Sequence, residues 1–119
     1  MRIATAAVLV CASFAAGCAR GTSTDAIDLA IPDRANAHVT LAAEGRRVAA
    51  AWAATGSDGT DIYLAVSDDE GRTFAHPVRV NDIQGDANTN GEQPPRVALK
   101  GDTLNVIWEI GRASCRERV

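Results

Sequence analysis

Residues 67–74 read Ser-Asp-Asp-Glu-Gly-Arg-Thr-Phe, and their spacing, S-x-D-x-G-x-T-F, limits what the chain can fold into more than any other stretch does. An Asp at the position of Asp69 can accept hydrogen bonds from backbone N–H groups shortly after it, and Gly71 supplies the positive φ that a tight turn needs. Ser67 and Thr73 bring hydroxyls that can pair across the turn, and Phe74 can fold back over them. The set describes a rigid corner between two extended segments, a structural role and not a catalytic one. All five specified positions would coincide in a random chain of this length on the order of once in ten thousand.

The segments around the corner read as strands. Residues 37–43, 48–53, 61–67 and 77–80 are short β-type runs, and Ile62, Leu64 and Val66 alternate with Tyr63 and Ala65. A shift of 56 residues places Gly45 on Gly101, Val48 on Leu104, Trp52 on Trp108, Leu41 on Val97 and Ala42 on Ala98. Self-similarity at that period is the signature of a repeated sheet unit, so the fold class is all-β.

The Ser67–Phe74 pattern is the Asp-box, and on it the chain resembles the sialidase family, whose β-propellers carry such boxes at the turn between the third and fourth strands of four-stranded blades. The resemblance implies a partial propeller, about one and a half blades of a six-bladed ring. The first blade then spans 37–82, an inter-blade loop 83–94, and the start of the second blade 95–109. A ring so incomplete leaves strand edges unpaired, which predicts poor solubility. Trp52 and Trp108 are expected to pack between layers and not to stack on sugars.

Sialidases are retaining glycosidases that clamp the substrate carboxylate with three arginines and use a Tyr/Glu nucleophilic pair and an Asp acid/base; the guanidinium fork suits a carboxylate in both charge and shape. The first clamp arginine of the family lies in a [FY]-R-I-P motif. Here the matching region reads Arg34-Ala35-Asn36-Ala37-His38, without Arg-Ile-Pro, so Arg34 is the displaced candidate. The acid/base falls in the loop 55–61, where Asp58 is the positional match and Asp61 the alternative; flanked by Ser57 and Gly59, Asp58 reads first as a turn residue. Tyr63 lies in a strand and is expected to pack. The resemblance therefore implies the N-terminal piece of an exported exo-α-sialidase, inactive by itself, or else a non-catalytic propeller that binds sialylated or other glycans, or proteins, at the cell envelope.

The ends carry separate signals. Met1-Arg2 followed by an apolar run to Ala16 is a secretory leader, too short to span a bilayer as a mature helix. It closes on Ala15-Ala16-Gly17-Cys18, which resembles a bacterial lipobox, so residues 1–17 are expected to be removed and Cys18 lipidated. Ala19-Arg20 lacks an Asp that would suggest inner-membrane retention, which points to an outer-membrane lipoprotein, periplasmic or on the cell surface, with 18–36 as a flexible tether. Residues 110–119, IGRASCRERV, resemble one translated frame of a common sequencing adaptor, so native sequence is expected to run to about Glu109. Between Cys18 and Glu109 there are 8 Lys/Arg against 14 Asp/Glu, a net −6 where the whole chain carries −3. That balance argues against nucleic acid as a partner. With the cysteines at 11, 18 and 115, no disulfide is expected.

Asp86-Ala87-Asn88-Thr89-Asn90-Gly91 fits the first half of a calcium loop, with Asp86, Asn88 and Asn90 as candidate oxygen ligands. The position that needs a bidentate Glu is Val97, so the plainer expectation is an Asn/Gly-rich loop and no cofactor. His38 and His76 stand apart from one another and from any Cys, giving no zinc pattern.

Overall fold

In the computed structural model, residues 26–111 are described. The leader, the lipidation candidate Cys18, the first part of the tether and residues 112–119 lie outside them. The described chain is all-β: β1 (Ala35–Glu44), β2 (Arg47–Gly56), β3 (Gly59–Ser67) and β4 (Val78–Arg79) form an antiparallel meander in the order β1-β2-β3-β4, and β5 (Arg96–Lys100) with β6 (Thr103–Ile107) forms a second hairpin. The first three strands outrun the expected segments because two-residue turns let pairing continue to Glu44↔Arg47 and Gly56↔Gly59. The fourth is shorter than expected. Pro77 has no N–H to give the ladder, and pairing starts only at Val78.

The 56-residue period reappears as strand register. Leu41 faces Ala50 and Val97 faces Val106; Ala43 faces Val48 and Leu99 faces Leu104; Glu44 faces Arg47 and Lys100 faces Thr103. Both turns open on a glycine in the left-handed region, Gly45 at φ 57° and Gly101 at φ 56°. The copies part where β1 has a register shift between Ala37 and Thr40, with His38 at φ 57°. The second copy has Pro94 and Pro95 in the equivalent stretch, and β5 begins at Arg96, the counterpart of Thr40.

β2 lies between two apolar layers, and Ala49 through Ala54 are all buried. On one face Ala50, Trp52 and Ala54 pack with Ala65, covered by Leu29, Ile31, Tyr63 and Phe74. Trp52 stacks on Tyr63 with ring centroids 6.2 Å apart, and its indole N–H donates to Asn36 Oδ1 at 3.0 Å. On the other face Ala53 and Ile62 pack with Ala87, Val80, Val106 and Trp108, so the second hairpin supplies part of the first sheet's core. Polar ties reinforce the contact: the Thr40 hydroxyl donates to the Pro95 carbonyl at 2.8 Å, and Gly101 N–H donates to Glu44 Oε2 at 2.9 Å.

A short crossing at 86–88 joins the two sheets. Ala87 N–H donates to Thr60 O at 3.1 Å, Asn88 N–H to Glu109 O at 2.8 Å, and Gly111 N–H to Asp86 O at 2.5 Å. Ile110 pairs with Ala87, so the first two residues of the adaptor-like stretch are bonded into the fold. The crossing requires close backbone approach. A Cβ on Gly59 would press into the Gly85 carbonyl, and one on Gly85 into the Asp58 carbonyl, with backbone on both sides and φ positive at each. Gly45, by contrast, has open space around it. Gly59→Ala should therefore cost about 3 kcal/mol, through overpacking added to left-handed strain. Gly45→Ala should cost about 1 kcal/mol, from strain alone. Urea unfolding of the two variants, compared with wild type, checks the ranking.

Candidate functional site

Two polar constellations stand out, one closed by neighbours along the chain and the other by residues distant in sequence. The first is the corner between β3 and β4. Ser67, buried at the end of β3, donates from Oγ to Asp69 Oδ1 at 2.7 Å and accepts from Gly71 N–H at 2.9 Å. Asp69 Oδ1 also accepts Thr73 N–H at 2.8 Å, and Oδ2 accepts the Thr73 hydroxyl at 2.5 Å. Hydrogen bonds from the Thr73 side chain and backbone, followed by that of Ser67, hold the Asp69 carboxyl far below its ordinary range. Positive φ is needed twice here, at Glu70 (64°) and at Gly71 (84°). Glu70 N–H donates to Arg46 O at 2.8 Å, which seats the corner on the β1–β2 turn. Phe74 packs against the Trp52 cluster.

The second constellation gathers around Asp61, which is fully buried near the start of β3. Its Oδ1 accepts Asn81 Nδ2 at 2.8 Å and Gly85 N–H at 2.7 Å, and its Oδ2 accepts Arg34 Nη1 at 2.9 Å. Burial pushes the Asp61 carboxyl up, but the Gly85 N–H, the Asn81 amide and the charges of Arg34 and Arg79 outweigh it, and the net shift is downward. Asn81 is itself buried and fully engaged: it accepts Ile62 N–H at 2.9 Å and also donates to Ile83 O at 2.7 Å.

The structure brings together Arg34 and Asp58, the two residues expected for sialidase chemistry. Arg34 Nη2 lies 3.2 Å from both Asp58 oxygens while Nη1 holds Asp61. Burial alone would lower the Arg34 pKa; the carboxylates of Asp58 and Asp61 more than offset it, and the net shift is upward. Asp58, in the two-residue β2–β3 turn, is held below its usual value, first by the Gln84 side-chain amide, then by backbone hydrogen bonding and Arg34. A proton donor at neutral pH needs the opposite shift. The guanidinium fork that would grip a substrate carboxylate grips two carboxylates of its own chain.

The three side chains considered for calcium go to separate partners. Asp86 Oδ1 accepts Asn81 Nδ2 at 3.2 Å, Asn88 Nδ2 donates to Glu109 Oε1 at 3.4 Å, and Asn90 Oδ1 caps the N–H groups of Glu92 and Gln93. Among the described residues no three His, Cys, Asp or Glu side chains gather for a metal ion. His38 instead borders a 250 Å³ open depression, with Leu29, Ala30, Asn36, Ala37, Val39 and the edge of Trp52.

Sequence reasoning named Arg34, Asp58 and Asp61 but missed Asn81, Gln84 and Gly85. The only signal for these three was an ordinary one, a polar turn composition after β4, and nothing in it tells a buried amide from an exposed one. No protein-family model matches the chain, and no curated protein or solved structure matches it.

Because Asp61 is depressed below its unfolded value, its ionised form contributes stability that is complete above the unfolded pKa of about 3.9 and is lost as pH falls through the folded value. Asp69 acts in the same direction. Urea unfolding should therefore show a plateau above about pH 5 and a decline below pH 4, shallower in Asp69→Asn. Asp61→Ala should cost about 3 kcal/mol at neutral pH, because it takes the acceptor from the Gly85 N–H and removes one of the two carboxylates that pair with Arg34. An unchanged midpoint in Asp61→Ala would show that the buried carboxylate is not holding the loop.

Proposed function

We propose that this chain forms part of a sialidase-type Asp-box β-propeller and acts as a non-catalytic, envelope-tethered module that binds glycans. The β1–β4 meander corresponds to one blade, with the Asp-box in its expected place between the third and fourth strands. The β5–β6 hairpin corresponds to the opening of the next, in the same register. The observation that carries the non-catalytic reading is the double pairing of Arg34 with Asp58 and Asp61. It leaves the chain's clamp candidate neutralised and its acid candidate anionic at neutral pH. The tether to the envelope rests on the leader and the lipobox-like Ala15-Ala16-Gly17-Cys18.

The enzymatic reading has one observation in its favour. Arg34 and Asp58, carried over separately from the sialidase pattern, lie side by side. On that reading a substrate carboxylate would displace Asp58 from Arg34, and the freed Asp58 would lose one of the partners that hold its proton affinity down.

The chain should release no product from a fluorogenic sialoside between pH 4 and 7, a range set by where carboxylates exchange their proton roles. On a glycan array it should retain binding to at least one acidic or neutral glycan class. Turnover abolished by Asp58→Asn would overturn the non-catalytic reading; absence of both turnover and binding would remove glycans as the ligand. Cys18→Ser should move the protein from the detergent-soluble membrane fraction to the aqueous fraction, and no redistribution would remove the lipid anchor.

A further inference from the structure

The side-chain amide of an asparagine is lost when the backbone nitrogen of the next residue attacks its Cγ, so the reaction needs an unengaged nitrogen and a small residue carrying it. The chain has five asparagines, at 36, 81, 88, 90 and 105. Asn36 is tied to the carbonyls of Ile31 and Arg34 and to the Trp52 indole, and Asn81 is buried among its partners. Asn88 and Asn105 precede Thr89 and Val106, whose branched Cβ atoms crowd the attacking nitrogen. Asn90 precedes Gly91.

Both residues of that pair are exposed, in the loop between β4 and β5. The Gly91 N–H donates to no partner among the described residues, and a Cβ built on Gly91 would meet nothing within 4 Å. Asn90 Oδ1 accepts Glu92 N–H at 2.8 Å and Gln93 N–H at 2.9 Å, while Nδ2 has only Gln93 Oε1, at 3.3 Å. The two N–H groups are aimed at the oxygen on which negative charge collects when Cγ becomes tetrahedral, the arrangement that lowers the barrier in acyl transfer. The acidic counterpart, Asp58-Gly59, is held differently. Gly59 lies in the ladder opposite Gly56 and hard against the Gly85 carbonyl, and the Asp58 carboxylate is engaged by Arg34 and Gln84.

The geometry points to Asn90 as a site of spontaneous deamidation, with the Gly91 nitrogen as nucleophile and the Glu92 and Gln93 N–H groups as the cradle for the oxyanion. Gly91 N loses its proton to hydroxide and bonds to Asn90 Cγ; the Cγ–Nδ2 bond breaks, and Nδ2 takes a proton from water and leaves as ammonia. Water then opens the cyclic imide at one of its two carbonyls, giving Asp or isoaspartate and one added negative charge. In the Asp form the carboxylate stays within reach of the same two N–H groups, now as charge-assisted bonds. In the isoaspartate form the main chain runs through the former side chain, one methylene longer, and the turn ahead of Pro94 must be rebuilt. The reacting atoms and their donors all lie in residues 90–93, so the chemistry is the same whether or not further strands complete the second sheet, and whether or not the chain binds glycans.

The test incubates the whole chain, expressed with its own leader and purified in mild detergent, in warm neutral and mildly alkaline buffer, and digests samples with trypsin against a zero-time control. Residues 80–96, bounded by Arg79 and Arg96, form one tryptic peptide that contains Asn81, Asn88 and Asn90. Fragmentation mass spectrometry should place the exchange of amide for acid at Asn90, faster at the higher pH, and an isoaspartate-specific methyltransferase should label the same peptide. The folded chain should convert no more slowly than the chain unfolded in guanidinium chloride. Gly91→Ala, which the open space accommodates, should slow conversion by about tenfold, because a Cβ obstructs the nitrogen and narrows its backbone freedom. Conversion at Asn88 or Asn105 as fast as at Asn90 overturns the assignment. So does a Gly91→Ala chain that converts at the wild-type rate, or a folded chain that keeps Asn90 intact while the unfolded chain loses it.

Discussion

The buried carboxylate of Asp61 is the constraint on which the arrangement depends. A charge taken out of water must be met by donors that stay in place, and Asp61 collects them from three separated parts of the chain: Arg34 before β1, Asn81 after β4, and the backbone of Gly85. Each donor is a point at which the chain cannot wander. Arg34 fixes the entry into β1, Asn81 closes the meander by also accepting from Ile62 N–H, and Gly85 brings the 86–88 crossing against Thr60. The second hairpin then docks on a surface already set.

The Asp-box acts at the opposite end of β3 and uses the same economy in smaller form. One carboxylate, Asp69, gathers the backbone and hydroxyl of Thr73 and the hydroxyl of Ser67, and the corner rests on the carbonyl of Arg46. Arg47 extends this contact outward, with Nε 3.3 Å from Asp68 Oδ1 and Nη1 3.4 Å from the Gly101 carbonyl. β3 is therefore held at both ends by an anionic side chain whose partners are mostly backbone or short polar groups. Both carboxylates engage both of their oxygens with partners from their own chain, which is why the site reads as architecture before chemistry.

What the sequence made legible were the features written in local spacing. The Asp-box and the strand runs follow from residue types within a few positions of one another, and the 56-residue correspondence, which sets Gly45 on Gly101, carried through to register. The partners of Arg34 were not legible in the same way. An Arg and an Asp 24 positions apart, with a second Asp three further on, look the same whether they await a ligand or neutralise each other. Asn81 was invisible because burial of a polar turn residue depends on what folds over it. The Asp86, Asn88 and Asn90 pattern had the right oxygen types, but alternation along a sequence does not oblige three side chains to converge when each has a nearer partner.

The repeat also diverges where its two tryptophans meet their surroundings. Trp52 has Asn36 for its indole N–H, whereas the residue equivalent to Asn36 is Glu92, which is exposed in the loop, and the Trp108 indole nitrogen is buried without a hydrogen bond. β2 adds an asymmetry of size to this asymmetry of bonding. Five of the six residues from Ala49 to Ala54 are alanine, and all six are buried, so the layers on its two faces pack against mostly methyl-sized side chains. A strand packed in this way has room to lose almost nothing and to gain almost nothing. Sequence drift within the lineage should therefore be slowest along β2 and should pass instead through the larger side chains that cover it, whose shapes can change in compensating pairs.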